Sequence, residues 1–339
     1  MRETITFDDV LLVPKYSNIL SRKQIDLSVS LGERGIVLDC PFISSPMDTV
    51  TEFEMAIAMA KSGGLGVIHR YNTIEEQANI AKGTTLKTEK VAAAIGVSGD
   101  YLDRATALYE CGIRIICIDV AHGHHSLMKK ALSDIRNIFS DSIHIMAGNV
   151  ATLEGFNDLS DWGADSIRVG IGGGSICSTR IQTGHGVPTL QSVLDCSVTD
   201  RDALIIADGG MKSTGDIAKA IAAGADLVMC GSMFAGTEES PGDVFSAPGG
   251  KKYKAYRGMA SVEAQRDWKG SHNSVEGIST TIPYKGNVSD IIELMKKQLT
   301  SSCSYSGARN LKEFMNNKEF IIQSSSSQLE SSTHILNKR

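Results

Sequence analysis

The chain has 339 residues, with 34 lysines and arginines against 39 aspartates and glutamates, and so a formal net charge of -5. Nucleic-acid-binding surfaces usually carry a basic excess, so this balance argues against that function. No apolar run is long enough for a transmembrane helix, and the first residues lack the uninterrupted apolar core of a signal peptide. The seven cysteines are irregularly spaced and form no C-x-x-C pair. We therefore expect a cytoplasmic protein with reduced thiols, without a disulfide framework or a zinc site.

Eight short apolar runs recur along the chain with helix-length segments between them. Their hydrophobicity is near-continuous rather than alternating, which is typical of parallel strands covered on both faces. The predicted strands are residues 42–45, 65–69, 91–97, 113–119, 143–149, 166–171, 204–208 and 227–231. Helical periodicity marks residues 53–61, 101–109, 126–138 and 214–222. These alternations predict an α/β fold, a closed (β/α)8 TIM barrel, with a doubly wound sheet as the alternative.

Two segments fall outside this alternation. Residues 251–287 form a long excursion after the eighth predicted strand, and we interpret them as an active-site flap. Their potential hinges are Gly258, Gly270, Gly277 and Gly286. We expect one catalytic barrel over residues 1–320 and a tail over residues 321–339. The serine-rich composition of residues 324–339 by itself predicts disorder.

The glycine-rich segment after the sixth predicted strand is the strongest local signal. Residues 170–180 are Gly-Ile-Gly-Gly-Gly-Ser-Ile-Cys-Ser-Thr-Arg. Such glycines let backbone amides and carbonyls point into one small volume, which suits a phosphate or a cation. Amide dipoles and the nearby Arg180 would favour a thiolate, so we interpret Cys177 as a nucleophile. The alternative is a cysteine that only packs beside a tight turn.

Polar residues also end the other predicted strands, on the rim where the active sites of this fold lie. Glycines follow the seventh and eighth strands, at positions 209–210 and 231, and these loops are the usual phosphate site. Asp208 would repel a phosphate and is better placed to accept hydrogen bonds from ribose hydroxyls. Glu276 is a candidate acid–base group because it lies in the flap, although a loop carboxylate is ordinarily only solvated.

Five segments, in order along nearly the whole chain, resemble the IMP dehydrogenase/GMP reductase family. They are residues 44–52 (SSPMDTVTE), 170–180, 208–210 (DGG), 256–259 (YRGM) and 283–286 (PYKG). The motif Gly-Ser-Ile-Cys-x-Thr-Arg within residues 170–180 is highly specific. The resemblance implies a purine nucleoside monophosphate substrate that Cys177 attacks at purine C2.

The resemblance also implies roles for individual positions. Thr179 and Glu276 would assist Cys177 in catalysis. The residues expected to hold the phosphate, ribose and purine of the substrate are Ser45, Met47, Ser175, Asp208, Gly210, Gly231, Ser232, Tyr256, Gly258, Met259 and Gly277. The residues expected to bind the nicotinamide cofactor are Asp119, Ala121, His122, Asn149 and Gly170. The backbone carbonyls of Gly172, Gly174 and Cys177 would hold a potassium ion.

The tail acquires a different meaning under the same resemblance. Residues 319–332 resemble a segment that many members extend to a neighbouring subunit near the cation. The resemblance therefore implies an ordered tail within a homotetramer, in contrast to the compositional prediction of disorder.

Two features favour the reductase branch of the family. Most dehydrogenases insert a pair of CBS modules after the second βα unit, whereas residues 73–89 here pass almost directly to the third strand. Dehydrogenases also use a long flap with an Arg-Tyr pair that activates water, whereas residues 261–276 are short and Arg266 is followed by Asp267 and Trp268. Two positions depart from the reductase pattern, because typical reductases have Asn where this chain has His122 and Lys where it has Arg70.

We therefore expect NADPH-dependent reduction of GMP to IMP and ammonia. The alternative within the family is a dehydrogenase without CBS modules, which oxidises IMP to XMP with NAD⁺. A catalytically silent nucleotide-binding barrel leaves Cys177, Thr179 and Glu276 without a function. A flavin-dependent barrel likewise leaves Cys177 and the flap unexplained.

Overall fold

A computed structural model of the chain describes residues 1–32, 35–271 and 275–331. Its strands are β1 (Val10–Leu12), β2 (Val29–Ser30), β3 (Val37–Leu38), β4 (Phe42–Ser44), β5 (Leu65–Ile68), β6 (Val91–Ile95), β7 (Ile115–Asp119), β8 (His144–Val150), β9 (Ser166–Val169), β10 (Leu204–Asp208), β11 (Leu227–Cys230), β12 (Phe245–Ser246), β13 (Lys252–Arg257), β14 (Ser279–Pro283) and β15 (Phe320–Ile322). Its α-helices are α1 (Phe53–Lys61), α2 (Ile74–Thr85), α3 (Tyr101–Glu110), α4 (Ser126–Phe139), α5 (Leu153–Asp161), α6 (Thr179–Thr183), α7 (Thr189–Cys196), α8 (Thr214–Ala223), α9 (Val262–Lys269), α10 (Val288–Tyr305), α11 (Leu311–Asn316) and α12 (Ser325–Glu330).

Strands β4 to β11 close into a barrel of eight parallel strands, with β4 paired to both β5 and β11. The predicted (β/α)8 barrel is confirmed. Five of the eight strands end one or two residues before the predicted point, and β7 and β10 end at the predicted residue. The fifth strand, β8, instead runs one residue further than predicted. Asn149 lies inside β8, beside a register shift between Gly148 and Val150, rather than after the strand.

The unbroken apolar runs of the sequence are explained by burial on both faces of the strands. In β6, every residue from Val91 to Ile95 is buried. Ala92 and Ala94 belong to the inner cluster of the barrel, whereas Val91, Ala93 and Ile95 belong to the larger cluster that includes the helices.

The inner cluster extends to the hairpin β2–β3, which supplies Leu31, Ile36 and Leu38. The carbonyl of Leu31 also lies 3.2 Å from the ring of His144, the first residue of β8. The hairpin therefore covers the N-terminal end of the barrel. This arrangement leaves the opposite rim, at the carboxyl ends of the strands, as the place for a ligand.

The flap consists of regular elements rather than an irregular loop. Strands β12, β13 and β14 form an antiparallel sheet, and helix α9 lies between β13 and β14. Because β12 precedes residue 251, the excursion begins earlier than predicted. The buried ammonium of Lys254 donates hydrogen bonds to the carbonyls of Thr237 (3.0 Å) and Glu238 (3.2 Å), which anchors the sheet to the loop after β11.

The two ends of the described chain meet. Strand β15 pairs antiparallel with β1, with Val10 opposite Ile322, so the expected boundary after residue 320 falls inside a strand. The compositional prediction of disorder is wrong for α12, where Ser324 caps the helix and Gln328 donates to Asp9 (3.2 Å). The rest of the tail prediction, residues 332–339, lies outside the described residues. In the described ranges, no helix has both the length and the apolar character needed to span a membrane.

Candidate active site

A cavity of about 620 Å³ opens at the carboxyl ends of the barrel strands, under the flap. This volume lies within the range of pockets that bind small-molecule ligands. Every residue that the sequence assigned to catalysis, substrate, cofactor or cation lines it, with one exception. The exception is His122, which is exposed and does not line the cavity.

The three predicted catalytic side chains form one hydrogen-bonded chain. The thiol of Cys177 donates to Thr179 Oγ1 at 3.1 Å, and Thr179 Oγ1 donates to Glu276 Oε2 at 2.8 Å. Cys177 and Thr179 lie where the glycine-rich loop enters α6, whereas Glu276 comes from the flap. A hydroxyl that accepts from a thiol and donates to a carboxylate can pass a proton between them. Such an arrangement is of the kind that pairs a thiol nucleophile with an acid–base group.

The backbone of the flap holds this chain together. Ser178 N–H donates to the carbonyl of Glu276 (2.8 Å), and Ile278 N–H donates to the carbonyl of Ile176 (3.1 Å). Residues 276–278 thus run antiparallel to residues 176–178. Glycine at the predicted hinge, Gly277, allows close packing, since a Cβ placed there would lie 3.1 Å from the amide nitrogen of Ser261 and 3.3 Å from the Cα of Gly258.

Arg180 has a different function from the one expected from its position in sequence. Its guanidinium donates to the carbonyl of Val187 (2.7 Å), and the aliphatic part of the side chain lies against Gly172 and Gly186. A Cβ on Gly172 would lie 2.6 Å from Arg180 Cγ. These contacts of Arg180 brace the glycine-rich loop.

Two glycine-containing loops approach each other closely at the base of the cavity. Gly170 has φ +149°, and a Cβ there would lie 2.1 Å from the carbonyl oxygen of Asp208. Likewise, a Cβ on Gly209 would lie 3.1 Å from the amide nitrogen of Gly174. Only glycine allows this approach, because any side chain would force the loops apart. The loops predicted to hold the phosphate are therefore in contact with each other.

Hydroxyl and thioether groups converge on Gly231, at the end of β11. Tyr256 Oη, Met47 Sδ and Ser45 Oγ lie 3.0, 3.2 and 3.6 Å from the position that a Cβ on Gly231 would occupy. Burial raises the pKa of Tyr256 to about 12, although a hydrogen bond with Ser175 opposes the shift. At neutral pH the Tyr256 hydroxyl is therefore protonated and can donate to an anion.

Asn149 connects two of the expected binding regions. Its Nδ2 donates to the carbonyl of Gly170 (2.8 Å) and to Asp208 Oδ2 (2.8 Å). Its buried Oδ1 has no hydrogen-bond partner among the described residues. The cavity therefore offers a fixed, unsatisfied acceptor beside the predicted ribose-binding carboxylate.

The sequence interpretation missed several residues of the cavity wall. Arg168, in β9, donates to both Asp119 and Asp208. A charged residue inside the otherwise apolar run Ser-Ile-Arg-Val was a usable signal, because a buried charge requires a partner. Burial opposes the charge on Arg168, but Asp119 and Asp208 outweigh it and hold its pKa well above the ordinary value.

Three further residues close the cavity at the Asp119 side. The ring of Tyr71 meets the ring of Trp268 edge-on, with centroids 5.3 Å apart. The guanidinium of Arg70 lies 5.0 Å from the Tyr71 centroid and 5.9 Å from the Trp268 centroid. These contacts fasten the flap helix α9 to the loop after β5. No local pattern signalled them, because they join residues almost 200 positions apart.

Comparisons with known proteins agree on the family. The model of the IMP dehydrogenase / GMP reductase domain matches residues 4–334. Inosine-5'-monophosphate dehydrogenase of Nitrosopumilus maritimus (strain SCM1) is 34% identical over 474 aligned residues, covering 98% of each chain. The enzyme of that name from Borreliella burgdorferi is 36% identical over 398 aligned residues, covering 98% of this chain and 97% of the relative. Both alignments exceed the 339 residues of this chain, so these relatives contain additional segments.

Among solved structures, one similar chain is a cysteine-to-alanine variant of GMP reductase from Trypanosoma brucei in complex with guanosine 5'-monophosphate. It superposes with a TM-score of 0.92 at 28% sequence identity, and the match covers 98% of both chains.

Proposed function

The chain belongs to the IMP dehydrogenase/GMP reductase family, and from this premise we propose that it reduces GMP to IMP and ammonia with NADPH. The observation that carries the direction of the reaction concerns the flap. Arg266, the arginine in the segment where a dehydrogenase would need one to activate water, is exposed and is not part of the cavity wall. Trp268 lines the cavity instead. The flap therefore places an aromatic ring, and not the Arg266 guanidinium, in the cavity wall.

The alternative is an IMP dehydrogenase without CBS modules. The names of the Nitrosopumilus and Borreliella relatives favour it. The similar GMP reductase structure favours the reductase. The alignments with the two relatives span 474 and 398 residues, so the extra segments vary in size among proteins named as dehydrogenases. Chain length alone therefore discriminates less than the chemistry of the flap.

We place each part of the substrate in the cavity by matching its chemical groups to the residues of the cavity wall. The phosphate of GMP fits the glycine loops beside Gly210 and Gly231, where the protonated Tyr256 can donate to it. The carboxylate of Asp208 suits the ribose hydroxyls, and Met47 supports the purine ring. This orientation directs purine C2 towards Cys177.

The proton chain then accounts for substitution at C2. The Cys177 proton moves through Thr179 to Glu276 as Sγ bonds to C2 of GMP. Glu276 returns a proton through Thr179 to the 2-amino group, which leaves as ammonia. Reduction at C2 would then break the C–S bond and release IMP with a Cys177 thiolate, which takes up one proton from solvent to regain the starting thiol. Covalent catalysis of this kind replaces one difficult displacement with two easier steps.

The cofactor and the cation belong to this proposal. NADPH supplies the hydride when bound, and the unsatisfied Asn149 Oδ1 fits the amide N–H of a nicotinamide. The backbone carbonyls of Gly172, Gly174 and Cys177 provide a set of neutral oxygen donors, which suits a monovalent cation such as potassium. A homotetramer and a tail that reaches a second subunit remain predictions.

The direct test supplies each substrate pair in turn and follows the nicotinamide absorbance. We expect NADPH oxidation with GMP, accompanied by equimolar ammonia, and no NADH formation from IMP and NAD⁺. The opposite pattern would establish the dehydrogenase. Cys177→Ala should abolish turnover while GMP still binds. The control is Cys111→Ala, which removes a half-buried thiol at the C-terminal end of α3 and should retain activity.

A further inference from the structure

One buried guanidinium connects two parts of the cavity. Arg168 is 7% exposed, and its Nη1 donates to Asp119 Oδ1 at 2.5 Å. Its Nε and Nη2 both donate to Asp208 Oδ2, at 3.2 and 2.9 Å. The two carboxylates, from β7 and β10, do not hydrogen-bond to each other in the described residues. Arg168 therefore links the two carboxylates through one side chain.

Each aspartate extends the connection towards a different ligand. Asp208 Oδ2 also accepts from Asn149, at 2.8 Å. At the other end, Asp119 Oδ2 accepts from Tyr71 Oη at 3.5 Å and lies 3.8 Å from Arg70 Nε. Tyr71 and Arg70 in turn contact the flap through Trp268. A continuous polar path thus runs from the proposed ribose site to the cover of the proposed cofactor site.

We infer that Arg168 is a positioning residue that couples nucleotide binding at Asp208 to cofactor binding at Asp119. The inference rests on the proposed function for the ligand that each aspartate takes. A ligand that fixes one carboxylate orders the guanidinium, and the guanidinium orders the other carboxylate. The second ligand then meets a site that is already in its binding geometry.

The geometry of the guanidinium explains why arginine is needed. Its planar group presents donors in a fixed fork, and here Nη1 serves one carboxylate while Nε and Nη2 serve the other. A lysine ammonium at the same position keeps the charge but lacks this fork. Arg168→Lys should therefore preserve the charge balance and lose most of the coupling, whereas Arg168→Met should lose both.

The test measures GMP affinity by calorimetry in the absence of cofactor. It asks whether a substitution at the proposed cofactor site changes the affinity of the proposed nucleotide site. Asp119→Asn should weaken GMP binding about tenfold, a typical size for coupling between sites. The matched control is Asp158→Asn, which removes a carboxylate paired with His124 (2.8 Å) that makes no hydrogen bond to Arg168 within the described part of the chain. In an Arg168→Met background, Asp119→Asn should change GMP affinity no further.

Thermal unfolding separates this function from mere stability. Arg136→Met removes another half-buried arginine–aspartate pair, with Asp165 at 2.5 Å, and should lower stability without changing GMP affinity. Unchanged GMP affinity in folded Asp119→Asn, or an equal effect of Asp119→Asn in the Arg168→Met background, would overturn the inference. If the wild-type protein binds IMP but does not reduce GMP, the proposed function fails, and the same cycle with IMP still tests the coupling.

Discussion

Replacing Glu276 by glutamine tests the proton chain with almost no change in shape. The single proton of Thr179 Oγ1 is directed at Glu276 Oε2, 2.8 Å away, and its lone pair faces the Cys177 thiol. A glutamine amide cannot take up the thiol proton or return it to a leaving amine. A positioned acid–base group typically contributes about 10²–10⁴-fold, so kcat should fall by that factor, or about 3–5 kcal/mol in barrier.

The assay follows NADPH oxidation and ammonia release under saturating substrates, with GMP affinity measured separately. GMP should still bind to Glu276→Gln, since the loss concerns the reacting atoms. Thr179→Val breaks the same path, so the double variant should be no slower than the slower single variant. Glu263→Gln is the matched control, because Glu263 lies on the same flap and its Oε2 accepts from Ser279 at 2.7 Å. If Glu276→Gln kept more than about a tenth of wild-type kcat, the proton chain would be refuted.

Three other predictions concern stability and the cofactor side. Gly170→Ala should lower the free energy of unfolding, measured by chemical denaturation, by more than about 2 kcal/mol, because its Cβ would lie 2.1 Å from a carbonyl oxygen. Gly99→Ala has a strained φ but lies in open space, so it should lower the free energy of unfolding by only about 1 kcal/mol, and equal losses would contradict the close approach. Burial raises the pKa of Asp226 from 3.8 to about 6, so the folded state loses stability as pH rises through about 4–6, by up to about 3 kcal/mol. Asp226→Asn should therefore raise the unfolding midpoint at pH 8 and lose this advantage at pH 4, and a pH-independent difference would count against the shift. Trp268→Ala removes an aromatic contact typically worth about 0.5–1.5 kcal/mol and should raise the KM for NADPH about two- to tenfold; an equal rise in the KM for GMP would show that the ring does not serve the cofactor side.

The barrel was predictable because most of its strands are apolar on both faces, and this pattern is visible within single runs of sequence such as those of β6 and β11. The positions of Cys177 and Asp208 on the rim followed from the same pattern, since strand ends fix where loops begin. The flap elements were not predictable in this way. The segment that forms β13, Lys-Tyr-Lys-Ala-Tyr-Arg, is polar, and its pairing with β14 depends on a partner about 25 residues later.

Long-range partners set the same limit inside the cavity. Arg168 could be recognised as a buried charge from its apolar strand, but its two partners lie 49 and 40 residues before and after it. In the tail, the serine composition concealed α12, because that helix depends on contacts such as Gln328 to Asp9 rather than on its own propensity. Composition describes a segment in isolation, and these segments are ordered by contacts elsewhere.

The pairing of β1 with β15 has a consequence for synthesis. Val10 emerges from the ribosome early, but its partner Ile322 is added near the end of the described chain. Strand β4 likewise receives its second neighbour only when β11 has been made. Folding can therefore begin on the early βα units, while closure of the barrel and docking of the first strand wait for late residues. A growing chain of this protein therefore keeps strand edges open until the late residues that pair with them have been made.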